Sequence, residues 1–345
     1  MKKTVIYALF AGALLAAGCA KNATISTGEN ARSYLELWMN EYHPAVSQSP
    51  SGIYILEDKE GTGAVWDSNQ EYSFLITTIR GLNGKVTSTA HEDVAKQLGT
   101  YSRGNYYGAT VSSTKSGYAG VEAVLQGMRK GGTRTAVIPS WLLTTDRYST
   151  QKEYIDACTS STHLIYTITF TDQTSDVDEW EEKTLRNYVT ANFGSSVETT
   201  SFNDESANGD YFYFISDNSG ISGDAPVEAG KKYKLNYTGM LLNGQVFDTT
   251  LEKVAKDNGI YNSSKTYEPV TITFADSYES IAMGGSSNLV DGFKGALSML
   301  RFPGQKASAL FTSNLGYKNS GSSSTIPAYA PLRFELEFVA LTETD

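Results

Sequence analysis

Apolar and polar positions alternate along several stretches of this chain and recur at helical spacing along others, and the two kinds of stretch follow one another in a fixed order. Tyr233, Leu235 and Tyr237 alternate with Lys234 and Asn236, which predicts a strand with one buried and one wet face. Asn243-Gly244 then turns the chain, because both residues tolerate φ > 0, and Val246-Phe247-Asp248 begins a return strand. Leu332, Phe334, Leu336 and Phe338 alternate with Arg333, Glu335 and Glu337, and Leu164, Tyr166, Ile168 and Phe170 form a similar series earlier. Phe293, Ala296, Leu297 and Leu300 fall at i, i+3, i+4 and i+7, as do Val121, Val124, Leu125 and Met128, so each set predicts a helix pressing one apolar stripe onto a sheet. Tyr34, Leu35, Trp38 and Met39 predict another helix over Ala31 to Tyr42, and Trp180, Leu185, Tyr188 and Val189 one more, ending near Phe193.

The matching helices and closing strands point to an internal repeat. Further strands are expected at Ile53 to Leu56 and Tyr72 to Ile79, and Asn83-Gly84 then sits as Asn243-Gly244 does later. Basic and turn residues follow both short helices, Arg129-Lys130-Gly131-Gly132 and Arg301-Phe302-Pro303-Gly304. Each copy reads as a helix, then strands, then a short helix and a closing strand, with the boundary near Gln173 to Asp178. A chain of 345 residues suits two such domains better than one.

Composition narrows the function. With 40% hydrophobic residues and a formal net charge of −10, the chain has no Lys/Arg-rich block, which argues against nucleic-acid binding. Lys2 and Lys3 precede an apolar run from Val5 to Ala17 that is too short for a permanent span, and small residues end it, so residues 1–18 are expected to be a removable signal peptide. The string LLAAGC resembles a bacterial lipobox, departing from it at Ala16, where Leu is commoner. The resemblance implies lipidation of Cys19, anchorage at the cell envelope, and a tether over residues 19–30. The absence of Asp after Cys19 suits outer-membrane sorting in some bacteria. Cys158, the only other cysteine, is then left without a disulfide partner. His43, His91 and His163 lie too far apart to suggest a metal cluster, no phosphate-binding loop is evident, and no cofactor is expected.

The last third of the chain carries a more specific signature. YTG at Tyr237 to Gly239 is followed by NG, FD, LVDGFKGALSML at Leu289 to Leu300, PGQK at Pro303 to Lys306, LGY at Leu315 to Tyr317, Ile326-Pro327, and LRFELEF at Leu332 to Phe338. In this order the pieces closely resemble the FKBP-type peptidyl-prolyl cis-trans isomerases. The resemblance implies an α+β fold, an antiparallel sheet wrapped around a short helix, with the isomerase domain over residues 196–345. It further implies a proline pocket walled by Tyr237, Phe247, Leu289, Val290, Ile326 and Phe334 with Phe293 as its floor. Asp248 would form the polar edge, while the Tyr317 hydroxyl and the Val290 backbone N–H would act as donors. Three departures stand out: Phe293 where Trp is usual, Val270 where another aromatic wall is common, and no clear Arg partner for Asp248, a place Lys253 could fill. Leu251 to Glu268 is longer than the family norm and is expected to form an extra flap.

The first copy has Thr87-Ser88 where the second has Phe247-Asp248, and Thr77 or, with a slip of one residue, Ile76 where the second has Tyr237. Trp141 lies near the place of Leu315, and no LGY or IP string follows. Residues 31–172 are therefore expected to form a degenerate FKBP-like domain without the catalytic pocket, and residues 173–195 a linker helix. The activity expected is isomerisation of proline-containing unfolded or assembling exported polypeptides. A non-catalytic adaptor lipoprotein is the alternative, and a glycan-binding lipoprotein, suggested by the 22 tyrosines, is a third reading.

Overall fold

The computed structural model describes residues 25–114, 116–202, 210–221 and 225–339. The signal peptide, Cys19 and the first half of the tether lie outside these residues. Among the described residues no helix is long and apolar enough to cross a membrane.

The first half runs α1 (Thr27–Tyr42), β1 (Tyr54–Lys59), β2 (Tyr72–Gly81), β3 (Val86–Thr89), α2 (Glu92–Gln97), β4 (Thr110–Ser113), α3 (Ala119–Leu125), β5 (Thr133–Ile138), α4 (Gln151–Ala157) and β6 (Leu164–Thr174). The second runs α5 (Val177–Phe193), β7 (Phe212–Asp217), β8 (Lys232–Leu241), β9 (Val246–Thr249), α6 (Glu252–Asp257), β10 (Val270–Thr273), β11 (Ala282–Met283), α7 (Asp291–Met299), β12 (Lys306–Phe311) and β13 (Leu332–Phe338). The fold is α+β, with two antiparallel sheets. One is ordered β1-β5-β6-β2-β3 with β4 also on β2; the other is ordered β11-β10-β8-β13-β12-β7 with β9 also on β8.

The two sheets share a plan down to register. Thr78 faces Thr89 in the first and Thr238 faces Thr249 in the second, so adding 160 to either residue of the first pair gives the second. This decides between the two readings of the first copy: Thr77, not Ile76, stands where Tyr237 does, and Ser88 stands where Asp248 does. The segment after the hairpin also matches. Tyr101 stacks on Tyr107 with centroids 5.3 Å apart, and Tyr261 on Tyr267 at 5.4 Å. The flap expected in one copy is thus present in both.

Each sheet is covered by its own helices. In the second, Phe293, Ala296 and Leu297 of α7 and the following Leu300 are buried with Leu235, Leu336 and Phe338 of the sheet. In the first, Val124 and Leu125 of α3 and the following Met128 are buried with Ile168 and Phe170. The helix before each sheet belongs to it. Leu35 and Met39 of α1 enter the first core. Leu185 and Val189 of α5 are buried against Tyr213 and Leu310, each such side chain worth about 1.5–3 kcal/mol of hydrophobic stabilisation.

Two boundaries shift as a result. The expected tether loses its last residues, because the Ser26 side chain accepts from the Glu29 N–H and starts α1 at Thr27. The expected linker helix is α5, capped by Asp176 and packed on the second sheet, so it is part of that domain and not a free connector. Glu181 of α5 is fully buried, and its carboxylate accepts from the Ser313 N–H at 2.7 Å and the Ser313 hydroxyl at 2.6 Å. Burial pushes its pKa up to about 7 against the pull of those two hydrogen bonds.

Candidate active site

A hollow of about 520 Å³ opens beside α7. Of the residues anticipated from sequence, Tyr237, Phe247, Asp248, Leu289, Val290, Phe293, Tyr317, Ile326 and Phe334 line it. Val270 does not. It sits on β10 opposite Leu235 and packs partly buried against the sheet's core, so its side chain adds to that core and not to the wall of the hollow.

Strand geometry explains why these residues meet. On β8, Tyr237 and Gly239 are two apart and therefore share a face. Gly239 pairs with Asp248 across the β8–β9 hairpin and with Phe334 on the other side. A Cβ at Gly239 would lie 2.5 Å from the Phe247 ring and 2.8 Å from the Phe334 ring, so the bare backbone is what lets the two rings close over the strand. Phe334 is the hub of the aromatic wall. Its centroid lies 4.7 Å from Phe293, 5.6 Å from Phe247 at an edge-on angle of 80°, and 6.5 Å from Tyr237. Phe293 is 3% exposed and forms the floor.

The polar edge is built on Asp248. The Tyr237 hydroxyl donates to its Oδ2 at 2.5 Å, the Thr249 N–H donates to Oδ1 at 2.9 Å, and the Lys265 ammonium pairs with the same Oδ1. Burial first, and then the adjacent carboxylate, raise the Tyr237 pKa well beyond the ordinary phenol range, so this hydroxyl remains a donor at any physiological pH. Tyr317 is raised for the same two reasons, which places its phenol within electrostatic reach of Asp248.

Lys265, not Lys253, is the cation beside Asp248. Lys253 faces solvent on α6 and pairs with Asp257 one turn on, at 2.5 Å. Lys265 comes from the flap, where its ammonium also lies 5.6 Å from the Tyr267 ring centroid. No spacing rule locates a partner 17 residues away on a loop; the only signal was the unusual length of the flap. Met283, Asn288, Ser322, Ser323 and Thr325 also line the hollow and were not anticipated.

The first domain has a hollow of about 440 Å³ in the corresponding place, lined by Thr77, Thr145, Tyr118, Val121 and Tyr166 among others, with no carboxylate in its lining. Burial pushes the Tyr166 phenol up to about 12. Among the described residues no group of three or more His, Cys, Asp or Glu could hold a metal ion.

Residues 223–339 match the family model for FKBP-type peptidyl-prolyl cis-trans isomerases. The match lies wholly within the second domain, which is similar over that stretch to an FKBP-type isomerase domain. No curated protein matches the chain. Among solved structures, a peptidyl-prolyl cis-trans isomerase from Pseudomonas syringae is 20% identical, over 50% of this chain and 99% of its own, with a TM-score of 0.30. The three FKBP domains of wheat FKBP73 are 14% identical, over 86% of this chain and 99% of their own, with a TM-score of 0.28. FkpA from Escherichia coli is 20% identical with a TM-score of 0.29, and the match spans 47% of this chain and 58% of FkpA.

Proposed function

We propose that the second domain catalyses cis–trans isomerisation of Xaa-Pro bonds in the hollow between Tyr237, Phe293 and Phe334. The barrier is the ~18–20 kcal/mol rotation about an amide with partial double-bond character. Rotation removes the resonance that places charge on the carbonyl oxygen, so an apolar surround favours the twisted state over the planar ones. Phe247, Phe293, Ile326 and Phe334 supply that surround. The Tyr317 phenol and the Val290 N–H at the start of α7 are the donors that orient the substrate, while the one proton of the Tyr237 hydroxyl is committed to Asp248 and fixes that carboxylate at the rim.

One observation carries the reading: a buried phenol held by a carboxylate, Tyr237 on Asp248, at the rim of an otherwise aromatic hollow. The substrates proposed are unfolded or assembling exported polypeptides, with the protein held at the bacterial cell envelope by lipid on Cys19; this location rests on the N-terminal sequence alone. The first domain is read as a degenerate FKBP-like unit, because Thr77 and Ser88 replace the phenol and the acid.

The test is acceleration of cis–trans relaxation in a chromogenic Xaa-Pro peptide by the full chain. Loss of that acceleration in Asp248→Ala and Tyr317→Phe is the expected result. A chain that binds the peptide but never accelerates relaxation would leave the adaptor reading in its place.

A further inference from the structure

The mouth of the hollow is closed on one side by the segment between β12 and β13. At its tip Ser322, Ser323, Thr325 and Ile326 line the hollow, whereas Ser324 between them does not. Ser324 turns outward onto the other domain. The Tyr106 N–H donates to its carbonyl at 2.7 Å, and its hydroxyl donates to Asn105 Oδ1 at 2.8 Å. Both partners belong to the first domain's flap.

The flap is fixed at further points. Arg103 Nη1 donates to the Asp257 carbonyl at 2.8 Å, Gln245 Nε2 donates to the Gly104 carbonyl at 3.3 Å, and the Tyr106 ring packs against the second domain's core. Its twin in the second domain does something else: adding 160 to Asn105 gives Lys265, which turns in to Asp248. The tip itself is a tight turn, closed by Ser322 N–H to Ile326 O at 2.8 Å and Ile326 N–H to Ser322 O at 3.0 Å, with Ser323 in the left-handed region at φ 48°. A serine is held in that conformation only where its surroundings over-determine it. Ser323 is flanked by the residue that the first domain grips.

We propose that the first domain positions the rim of the second domain's substrate site, with Asn105 and Tyr106 holding Ser324 so that Ser323, Thr325 and Ile326 present a preformed wall to the proline-containing peptide. The proposal rests on the isomerase reading for what enters the hollow. Asn105 and Tyr106 are positioning residues; neither lines the hollow. A preformed wall lowers the ordering cost of binding and leaves the rotation step alone, so the effect falls on KM.

The test uses the full chain with Asn105→Ala, Ser324→Ala, their combination, Tyr106→Ala and Tyr106→Phe. Each is measured in cis–trans relaxation of a short Xaa-Pro peptide and in fluorescence anisotropy of the same peptide, labelled. Asn105→Ala and Ser324→Ala are expected to raise KM and weaken binding roughly two- to tenfold, the factor one net hydrogen bond is worth, and Tyr106→Ala, which keeps the N–H that holds Ser324 but loses the ring seated on the second domain, to act in the same direction by loosening the flap. Their kcat stays within about twofold of the unaltered chain. The Asn105 and Ser324 changes should not add, since they break one contact, and Tyr106→Phe, which keeps the ring on the second domain and gives up only the hydroxyl's bond to the Ala109 carbonyl inside the flap, should stay within about twofold of the unaltered chain. Unchanged KM and affinity across the set, or a fall in kcat alone, overturns the proposal. If Tyr106→Ala fails to fold by circular dichroism, the Asn105 and Ser324 variants decide. An unaltered chain that turns over no peptide defeats the isomerase reading, and anisotropy still decides the rim: equal affinities, or no binding at all, overturn it.

Discussion

Thr77 and Tyr237 hold the same position in two sheets of like order, and only the tyrosine reaches across its hairpin to a carboxylate, that of Asp248. Ser88 answers Asp248 in the first domain. Neither it nor Thr77 provides a long donor or a charge, although a hollow of comparable size remains there. The two domains thus share a scaffold and differ in what lines it.

Removing the phenol should test this contrast most directly. Tyr237→Phe keeps the ring that packs at 5.5 Å from Phe293 and deletes only the donor. The expected result is a fall in kcat/KM of about three- to tenfold, a typical cost for one hydrogen bond to a partly exposed charge. Because the Tyr237 pKa is raised, the unaltered chain should show no alkaline loss of rate through the ordinary phenol range. A rate that falls there in the unaltered chain and not in Tyr237→Phe would contradict the assignment of that hydroxyl as a fixed donor.

Gly239 offers a packing test. Adding one methyl would bring carbon to 2.5 Å from the Phe247 ring, so Gly239→Ala must displace an aromatic wall. A stability loss of about 1–3 kcal/mol is expected, as for other overpacked cores. Peptide affinity should fall with it. Urea denaturation and anisotropy measure the two; a variant as stable and as avid as the parent would mean that the rings are not held by this close approach.

Glu181 sets a pH dependence of known sign. Its folded pKa of about 7 lies above its ordinary 4.5, so folding favours the protonated acid. The contribution is complete below the unfolded value and is lost as pH rises through about 7, a span on the order of 3 kcal/mol. His163, whose pKa burial lowers, works the other way, and its share is lost as pH falls. Comparing Glu181→Gln with the parent isolates the first effect: the parent should lose stability relative to the variant between about pH 5 and pH 8. Urea midpoints that run parallel in the two proteins would rule it out.

How much of this was legible in the sequence depended on distance along the chain. Period-two strands such as Leu332 to Phe338, the i, i+3, i+4, i+7 stripes of Phe293 and Val121, and the hairpins at Asn83 and Asn243 are local patterns, and they yielded the sheets and the repeat, while the resemblance to the FKBP motifs supplied nine of the fourteen residues that line the hollow. What stayed hidden came from loops that fold back. Lys265 meets Asp248, and Asn105 meets Ser324, through geometry that no periodicity encodes. Val270 was misplaced for a different reason: a strand residue near the site is easily credited to its wall when its partner Leu235 draws it into the core. Helix α1 began earlier than its apolar stripe because its start is set by a serine cap and not by hydrophobic spacing.

The docked flap also bears on how the molecule comes apart. Two units joined only by a string melt one after the other, but here a loop of one is seated on the other through Arg103, Gly104, Asn105 and Tyr106. Heating should therefore give a single calorimetric peak, and Arg103→Ala with Asn105→Ala should split it into two. The catalyst and the unit beside it would then share one thermal fate, although only one of them lines its pocket with an acid.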